Sequence, residues 1–157
     1  MSISRRQFLR TTAAVGGSVL AVHRGVHAAG SDILRVGLVG CGSRGAGAAS
    51  NAINADPGVR VVALADAFAD RMNGTLKALQ DRHPDQVDVD PSRCFAGFDS
   101  YKQLIACGVD VVLLAAPPHF RPLHLAAAIE ADKHVFAEKP VAVEEGLQVQ
   151  ETVQVPH

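Results

Sequence analysis

The feature that most constrains this chain is a short apolar segment that leads directly into a glycine-rich turn. Residues 33–45 read Ile-Leu-Arg-Val-Gly-Leu-Val-Gly-Cys-Gly-Ser-Arg-Gly. In a strand–turn–helix of this kind, the first glycine permits the tight turn, the second lets the backbone approach a pyrophosphate, and the third lets the helix pack close to its strand. The helix N-terminus then offers N–H groups and a positive dipole end to the phosphates. We therefore predict a dinucleotide-binding loop formed by Gly40, Gly42, Ser43, Arg44 and Gly45.

Strand-like and helix-like segments alternate along the rest of the chain. Apolar runs that predict strands lie at about 33–39, 59–65, 93–95, 109–115 and 134–137. Helices are predicted between them at about 43–54, 67–79, 100–105, where Asp99-Ser100 would supply the cap, and 121–131. The polar stretch 80–92 contains two prolines and is expected to be a loop. Because the strands are continuous apolar runs, both faces of the sheet should be covered, which predicts a doubly wound, mostly parallel α/β sheet of the Rossmann type.

An acidic residue stands where a dinucleotide fold needs one. Such folds place a carboxylate at the end of the second strand, about 20 residues past the glycines, to bind the adenosine ribose hydroxyls. Asp66 ends the second predicted strand. Its charge would repel a 2′-phosphate, so NAD is favoured, with NADP kept open because Arg44 or Arg71 could offset that repulsion. The alternative role for Asp66 is the N-cap of the following helix.

Three segments together resemble the Gfo/Idh/MocA oxidoreductases, the family of glucose–fructose oxidoreductase and inositol dehydrogenase. They are Val-Gly-Leu-Val-Gly-Cys-Gly-Ser-Arg-Gly at 36–45, Asp-Val-Val-Leu-Leu-Ala-Ala-Pro-Pro-His at 110–119 and Lys-His-Val-Phe-Ala-Glu-Lys-Pro at 133–140. The last is the most specific of the three. The resemblance covers about residues 33–145.

The resemblance implies roles for residues at the ends of the last two strands. The turn Ala116-Pro117-Pro118 would pass beside the nicotinamide ring, with His119 near its ribose. Glu138 would help hold the nicotinamide ribose. Lys139 would lie beside the substrate, hydrogen-bond its reacting hydroxyl and aid proton transfer, a role that suits a cleft lysine. The alternative for Lys139 is a solvated surface side chain.

The first 29 residues differ in kind from the rest and are predicted to be a twin-arginine signal peptide. Arg5-Arg6 precede Phe8-Leu9, a modest apolar run follows over 11–22, and Val26-His27-Ala28-Ala29 offers small residues at a cleavage site. The apolar run is too short to span a bilayer. We therefore expect the Tat export machinery as a partner, an exported and periplasmic mature protein, and no stable membrane span after cleavage.

The mature region, 30–157, is predicted to be an incomplete Rossmann domain. No sixth strand follows residue 137, and the family's second α/β domain, which forms the other wall of the substrate pocket, is not recognised. The tail matches the family poorly, which suggests a truncated or frameshifted reading frame. With nothing to orient a substrate, very low turnover is expected from this chain alone.

Charge and cysteine content exclude several other classes of function. The net charge is −1 and no run of Lys or Arg is present, so no nucleic-acid partner is predicted. The three cysteines, Cys41, Cys94 and Cys107, have no metal-ligand spacing, so no metal is expected, although a Cys94–Cys107 disulfide stays open.

Three functions therefore compete. The first is the nucleotide-binding half of an exported NAD(P)-dependent oxidoreductase acting on a sugar or polyol. The second is a relative that uses NAD in glycoside cleavage, and the third is a non-catalytic nucleotide-binding fragment. A homo-oligomer is left open.

Overall fold

A computed structural model describes residues 33–142, and within them strands and helices alternate in the predicted order. The strands are β1 (Leu34–Val39), β2 (Val59–Asp66), β3 (Cys94–Ala96), β4 (Val111–Leu114) and β5 (His134–Ala137). The helices are α1 (Ser43–Ala55), α2 (Ala69–Arg82), α3 (Ser100–Ala106) and α4 (Arg121–Glu130). The predicted signal peptide and the expected continuation beyond β5 lie outside the described residues. No helix within 33–142 is long and apolar enough to cross a membrane.

The five strands form one parallel sheet in the order β3-β2-β1-β4-β5. The predicted fold class is thereby confirmed. The strands after β1 are first added on one side of it, as β2 and β3, and then on its other side, as β4 and β5. The order of the strands therefore reverses between β1 and β4, although all five run parallel. In open α/β sheets, ligands bind at the carboxyl ends of the strands, next to this reversal. The topology therefore brings the residues that follow β1, β2, β4 and β5 to one edge.

Each face of the sheet carries its own hydrophobic core, as the continuous apolar runs predict. On one face, the side chains of Leu38 and Leu64 pack with Ile53 of α1 and Leu79 of α2. On the other face, Val112 and its neighbours pack with residues of α3 and α4, including Leu104 and Ala128. The two layers of helices hold the strand ends in fixed positions, and so they fix the loops that follow them.

The stretch predicted as a loop at 80–92 is more ordered than expected. Helix α2 continues to Arg82, and Val87 forms an isolated parallel bridge to Val61. Val87 is buried in the core. The amide of Gln86 donates hydrogen bonds to three carbonyls at the start of β2 and the end of α1. Apart from the two prolines, Val87 and Val89 are the only apolar side chains in the stretch 80–92, and two alternating positions are too few to predict a strand.

The predicted cap of the short helix is correct in position and wrong in mechanism. Asp99 is the N-cap residue of α3, but its side chain makes no capping hydrogen bond. The carboxylate instead pairs with Lys102, 2.7 Å away on the first turn. A lysine three residues along a helix is within reach of such a carboxylate and can compete with the backbone N–H groups for it.

Candidate functional site

The glycine loop lies at the carboxyl end of β1, and two of its glycines are required by its shape. Gly40 has φ +96° and its N–H donates to the carbonyl of Ala65, 2.8 Å away. A Cβ at Gly40 would overlap the backbone of Ala115 and Ala116, and a Cβ at Gly45 would overlap the carbonyl oxygen of Gly40. The first and third glycines therefore allow close contacts within the protein, as predicted.

The second glycine leaves space in front of the helix. A Cβ at Gly42 would have no heavy atom within 4 Å. Gly42 is also the N-cap of α1, and within residues 33–142 no side chain caps the first turn of this helix. The N–H groups of that turn are therefore free to bind an anion, with the positive end of the helix dipole behind them. A diphosphate could approach the backbone here as closely as the motif requires.

Asp66 is held by the backbone on both sides. One carboxylate oxygen accepts a hydrogen bond from the N–H of Cys41 at 2.6 Å, and the other accepts from the N–H of Phe68 at 2.9 Å. The N-cap of α2 is Phe68, so the alternative role of Asp66 as that helix's cap is not observed. Because each carboxylate oxygen has a second lone-pair site, the group can still accept from two ribose hydroxyls.

Two adjoining clefts open at this edge of the sheet. The first, which we call the aromatic cleft, has a volume of about 280 Å³ and is lined by Phe68, Phe98 and Phe120. The rings of Phe98 and Phe120 lie 5.9 Å apart, and the Arg71 guanidinium lies 5.3 Å from the centre of the Phe68 ring. These aromatic side chains come from three separate segments, and no sequence pattern marks them as a group. Their apolar surface suits a flat heteroaromatic ring.

The second, which we call the glycine-loop cleft, has a volume of about 340 Å³ and collects most of the predicted site residues. Those that line it are Gly40, Gly42, Ser43, Arg44, Asp66, Ala116, Pro117, Pro118, Glu138 and Lys139. Gly45 is buried beneath the loop, where it serves packing. His119 is exposed outside the lining and stacks edge-on against Phe120 at 5.4 Å. The structure thus gathers all but two of these residues around one space.

An ion pair crosses the glycine-loop cleft from α1 to the end of β5. The guanidinium of Arg44 lies 2.6 Å from the carboxylate of Glu138. The Glu138 side chain is 15% exposed and that of Arg44 is 75% exposed. Lys139 follows in the sequence and is exposed at the cleft, and its peptide bond to Pro140 is cis. Glu138 and Lys139 therefore face the phosphate-binding loop from the opposite wall.

Two buried polar residues of α4 also line these clefts, and neither belongs to the three segments that resemble the family. Arg121, 3% exposed, lines the glycine-loop cleft, and His124 lines the aromatic cleft. Burial lowers the pKa of His124. Its ring lies 4.3 Å from that of Tyr101, and its Nδ1 has no hydrogen-bond partner among the described residues. A histidine or arginine at a helix start has no distinctive pattern, so only the folded structure identifies these two residues.

A further buried contact holds the glycine loop from α2. The hydroxyl of Thr75 donates to the carbonyl of Cys41 at 2.7 Å. Together with the bond from the Cys41 N–H to Asp66, this contact anchors one peptide of the loop at both ends.

The cysteines are free thiols. Burial raises the pKa of all three thiols. The disulfide between Cys94 and Cys107 that the sequence left open is not formed. Within residues 33–142 no group of three His, Cys, Asp or Glu side chains is placed to hold a metal ion.

Comparison with known proteins identifies the family. The profile of the Gfo/Idh/MocA family, described as "Oxidoreductase family, NAD-binding Rossmann fold", matches residues 34–155. The chain belongs to the Gfo/Idh/MocA family. The resemblance drawn from the three sequence segments is confirmed, and the sheet described above is the NAD-binding Rossmann fold of that family. The match extends about ten residues beyond the expected limit at 145, so the expectation that the tail matches the family poorly is wrong.

Relatives of this Gfo/Idh/MocA domain include both glycosidase-named and dehydrogenase-named proteins. A glycosyl hydrolase family 109 protein of Saccharopolyspora erythraea is 31% identical over 87% of this chain and 33% of its own length. Inositol 2-dehydrogenase 1 of the same organism is 33% identical over 69% of this chain and 29% of its own length. The chain therefore spans about a third of the length of these curated relatives.

A solved structure shows the same fold. The scyllo-inositol dehydrogenase of Lactobacillus casei, solved with bound NAD(H) and scyllo-inositol, superimposes with a TM-score of 0.56 at 25% identity. The match covers 71% of this chain and 29% of that chain. The two clefts of this Gfo/Idh/MocA domain thus lie on a fold that holds NAD(H) in that dehydrogenase.

Proposed function

We propose that this chain binds NAD and forms the nucleotide-binding part of an oxidoreductase that acts on a hydroxyl or carbonyl group of a sugar or polyol. The observation that carries the proposal is the continuity of the two clefts. Both are lined by Gly40, Asp66, Arg71, Ala116 and Pro117, so one extended ligand can occupy both. Their chemistry matches the parts of a dinucleotide in order. The aromatic cleft suits the adenine ring, the Asp66 carboxylate suits its ribose, the free N–H groups of α1 suit the diphosphate, and the polar wall of Glu138 and Lys139 suits the nicotinamide half.

Each part of NAD has a proposed partner in this arrangement. The adenine ring would enter the aromatic cleft, and its ribose would donate hydrogen bonds to Asp66. The diphosphate would lie before Gly42, where the absence of a side chain leaves room and the N–H groups of α1 face it. The nicotinamide half would extend past Pro118 toward Glu138 and Lys139. The carboxylate of Asp66 disfavours the 2′-phosphate of NADP at the adenosine ribose.

Lys139 is the residue proposed to serve the reaction itself. Bound NAD supplies a hydride acceptor, and the substrate hydroxyl must lose a proton at the same time. The neutral amine of a lysine can accept a hydrogen bond from that hydroxyl and take up its proton, which converts the amine to an ammonium group. Glu138, on the same wall, would hold the nicotinamide ribose, and Arg44 would keep Glu138 in place until the diphosphate competes for the guanidinium.

Turnover by residues 1–157 alone is proposed to be very slow. The described residues supply the cofactor side of a site, because the other walls of the cleft that Lys139 lines, the glycine loop and the turn after β4, are proposed to hold NAD rather than a substrate. Orientation supplies a large part of catalysis. Relatives that are about three times as long carry more chain with which to build that wall.

A calorimetric titration of the chain with NAD⁺ tests the binding proposal. Saturable binding with one site per chain is expected, and NADP⁺ should bind more weakly. A folded sample that produces no binding heat with either nucleotide would contradict the proposal. The matched variant for this experiment, at Asp66, is treated in the Discussion.

A second candidate function is NAD-assisted glycoside cleavage, which is favoured by the name of the glycosyl hydrolase family 109 relative. The two reactions differ in their net products. A polyol dehydrogenase accumulates NADH, whereas the glycosidase releases an aglycone without net NADH. The two functions are separated by incubating an excess of the chain with NAD⁺ and either an inositol or an aryl glycoside. NADH absorbance reports dehydrogenation, and release of the aglycone reports glycoside cleavage. Binding of NAD⁺ with neither product agrees both with the very slow turnover proposed above and with a non-catalytic nucleotide-binding fragment.

We also propose that the protein is exported through the twin-arginine route. The support is the sequence Arg5-Arg6-Gln7-Phe8-Leu9, which lies outside the described residues, and the cofactor, since that route carries proteins that have already folded around one. Replacing both Arg5 and Arg6 by lysine should retain the protein in the cytoplasm, whereas Arg24→Lys should not. Unchanged export of the double variant would remove the assignment.

A further inference from the structure

Arg121 is a buried cation that hydrogen-bonds two turns at once. It is the first residue of α4 and is 3% exposed. One terminal nitrogen, Nη2, donates to the carbonyl of Ala116 at 2.7 Å, and the other, Nη1, donates to the carbonyl of Pro140. The third nitrogen, Nε, is buried and has no partner among the described residues.

The two carbonyls belong to opposite sides of the nicotinamide end of the glycine-loop cleft. Ala116 begins the turn after β4, and Pro140 directly follows Lys139 in the turn after β5. The pairing of β4 with β5 ends at Leu114 and Ala137, and one further backbone bond joins Glu138 to Leu114. Beyond that bond, the guanidinium of Arg121 provides the contact that joins the two turns.

The charge of Arg121 is met by carbonyl dipoles rather than by an acid. Within residues 33–142 the ion pairs involve Arg35, Arg44, Lys77 and Lys102, and no carboxylate lies within ion-pair distance of Arg121. A planar guanidinium can donate in two fixed directions at once, which a lysine ammonium at the end of a flexible stem does not reproduce. Arginine is therefore suited to join two carbonyls that must keep a fixed separation.

We propose that Arg121 is a positioning residue for the nicotinamide half of the bound dinucleotide, because it fixes the Ala116–Pro118 turn relative to Lys139 and Pro140. This inference rests on the proposed function, namely that the chain binds NAD. Arg121 acts through the two turns and need not touch the ligand. The adenosine half depends mainly on Asp66 and the aromatic cleft, which Arg121 does not line.

Two probes separate a positioning role from a general loss of structure. NAD⁺ has the nicotinamide half, whereas AMP has only adenosine and one phosphate. In Arg121→Met and Arg121→Lys, the dissociation constant for NAD⁺ should rise about tenfold, as the loss of a charge-assisted hydrogen bond predicts, while that for AMP changes less than about twofold. Thermal melting of each variant verifies that it is folded.

Arg60 offers a matched control at the opposite end of the sheet. Its Nη1 also donates to two backbone carbonyls, those of Pro57 at 2.7 Å and Val59 at 2.9 Å, but it lies far from both clefts at the start of β2. Arg60→Met should leave the affinities for NAD⁺ and AMP unchanged. Equal losses of NAD⁺ and AMP affinity in the Arg121 variants, or wild-type NAD⁺ affinity in them, would overturn the inference.

Failure of the proposed function gives a different result. If the wild-type chain binds AMP but not NAD⁺, or neither, the proposed function fails before any variant is compared. Should Arg121→Met and Arg121→Lys both fail to fold, hydrogen exchange of the wild-type chain provides the test. NAD⁺, but not AMP, should slow exchange of the amides in residues 119–121 and 138–139 together. Protection of one segment without the other would contradict the proposal that Arg121 holds the two turns together.

Discussion

The carboxylate of Asp66 lies 2.6 Å from the backbone nitrogen of Cys41, so the end of β2 is hydrogen-bonded directly to the glycine loop. The carbonyl of Cys41 accepts in turn from Thr75 of α2. The residue expected to bind ribose therefore also holds the loop expected to bind phosphate. The adenosine and diphosphate contacts of a dinucleotide are coupled through this one side chain, and substitutions of Asp66 should affect both.

Asp66→Ala should weaken NAD⁺ binding about tenfold or more, because it removes the ribose acceptor and a charge-assisted hydrogen bond to the loop. Asp66→Asn should weaken NAD⁺ binding less than Asp66→Ala does. Its single amide oxygen can still accept a hydrogen bond from the N–H of Cys41 or from that of Phe68, although not from both. Without the negative charge, the preference for NAD⁺ over NADP⁺ should narrow in both variants. Calorimetric titrations with the two nucleotides measure these effects.

The control for the change of charge is Asp70→Ala. Asp70 is exposed in the first turn of α2, near the site but outside the lining of both clefts. The Asp70→Ala protein should retain the wild-type affinities for NAD⁺ and NADP⁺. An Asp66→Ala protein that binds NAD⁺ as tightly as the wild type would exclude Asp66 from the site.

Glycine-to-alanine changes in α1 should have opposite effects at two nearby positions. Gly45→Ala brings a methyl group onto the carbonyl of Gly40 and should destabilise the fold by about 2 kcal/mol or more. Gly47 is exposed on the same helix with open space around it, so Gly47→Ala should stabilise the protein by roughly 0.5–1 kcal/mol. Urea unfolding of both variants measures the difference. Equal stabilities would mean that α1 does not pack against the loop as described.

Arg71 should affect NADP⁺ binding rather than NAD⁺ binding. Its side chain lines both clefts beside Asp66, the place where a 2′-phosphate would lie. Arg71→Ala should therefore lower the affinity for NADP⁺ several-fold, roughly the contribution of one charge-assisted contact, and leave that for NAD⁺ nearly unchanged. Arg82→Ala, in the last turn of the same helix, is the matched control. A parallel fall in both affinities would assign Arg71 to the part that the two nucleotides share.

His124 should make stability depend on pH in the weakly acidic range. Burial against Tyr101 lowers its pKa from the ordinary value of 6.5 in the folded protein. As pH falls through that value, the unfolded chain takes up a proton that the folded chain does not, so stability decreases with decreasing pH. In His124→Gln, the free energy of unfolding should change less between pH 7.5 and pH 5, whatever its absolute value. The same slope in both proteins would show that another group causes it.

Local patterns along the chain were sufficient for the architecture. The apolar runs, the glycine spacing and the position of Asp66 predicted a parallel sheet with the dinucleotide loop after its first strand, and the order β3-β2-β1-β4-β5 agrees with this. These features are local because strand and helix formation depend on periodicity within a few turns of chain. The bounds of β4 and α2 differ from the predicted ones by one to three residues, since tertiary contacts decide where an element ends.

Contacts between distant segments were not accessible to the same reasoning. The bridge from Val87 to Val61 and the aromatic cleft of Phe68, Phe98 and Phe120 each depend on which segments folding brings together. Neither can be identified from spacing along the chain. The roles predicted for Lys139, Glu138 and His119 stay predictions, although the structure lines the glycine-loop cleft with the first two.

The sequence by itself determined what kind of ligand this chain is built around, because glycines that permit a tight turn and a carboxylate at a strand end act through their own backbone and charge. Only the tertiary structure decided how the residues around that ligand are held in position. Arg121 joins two turns that are more than twenty residues apart, and Asp66 is oriented by an N–H that precedes it by twenty-five residues. Hydrogen bonds between such segments exist only when the sheet brings their strand ends side by side, so they cannot be read from either segment alone.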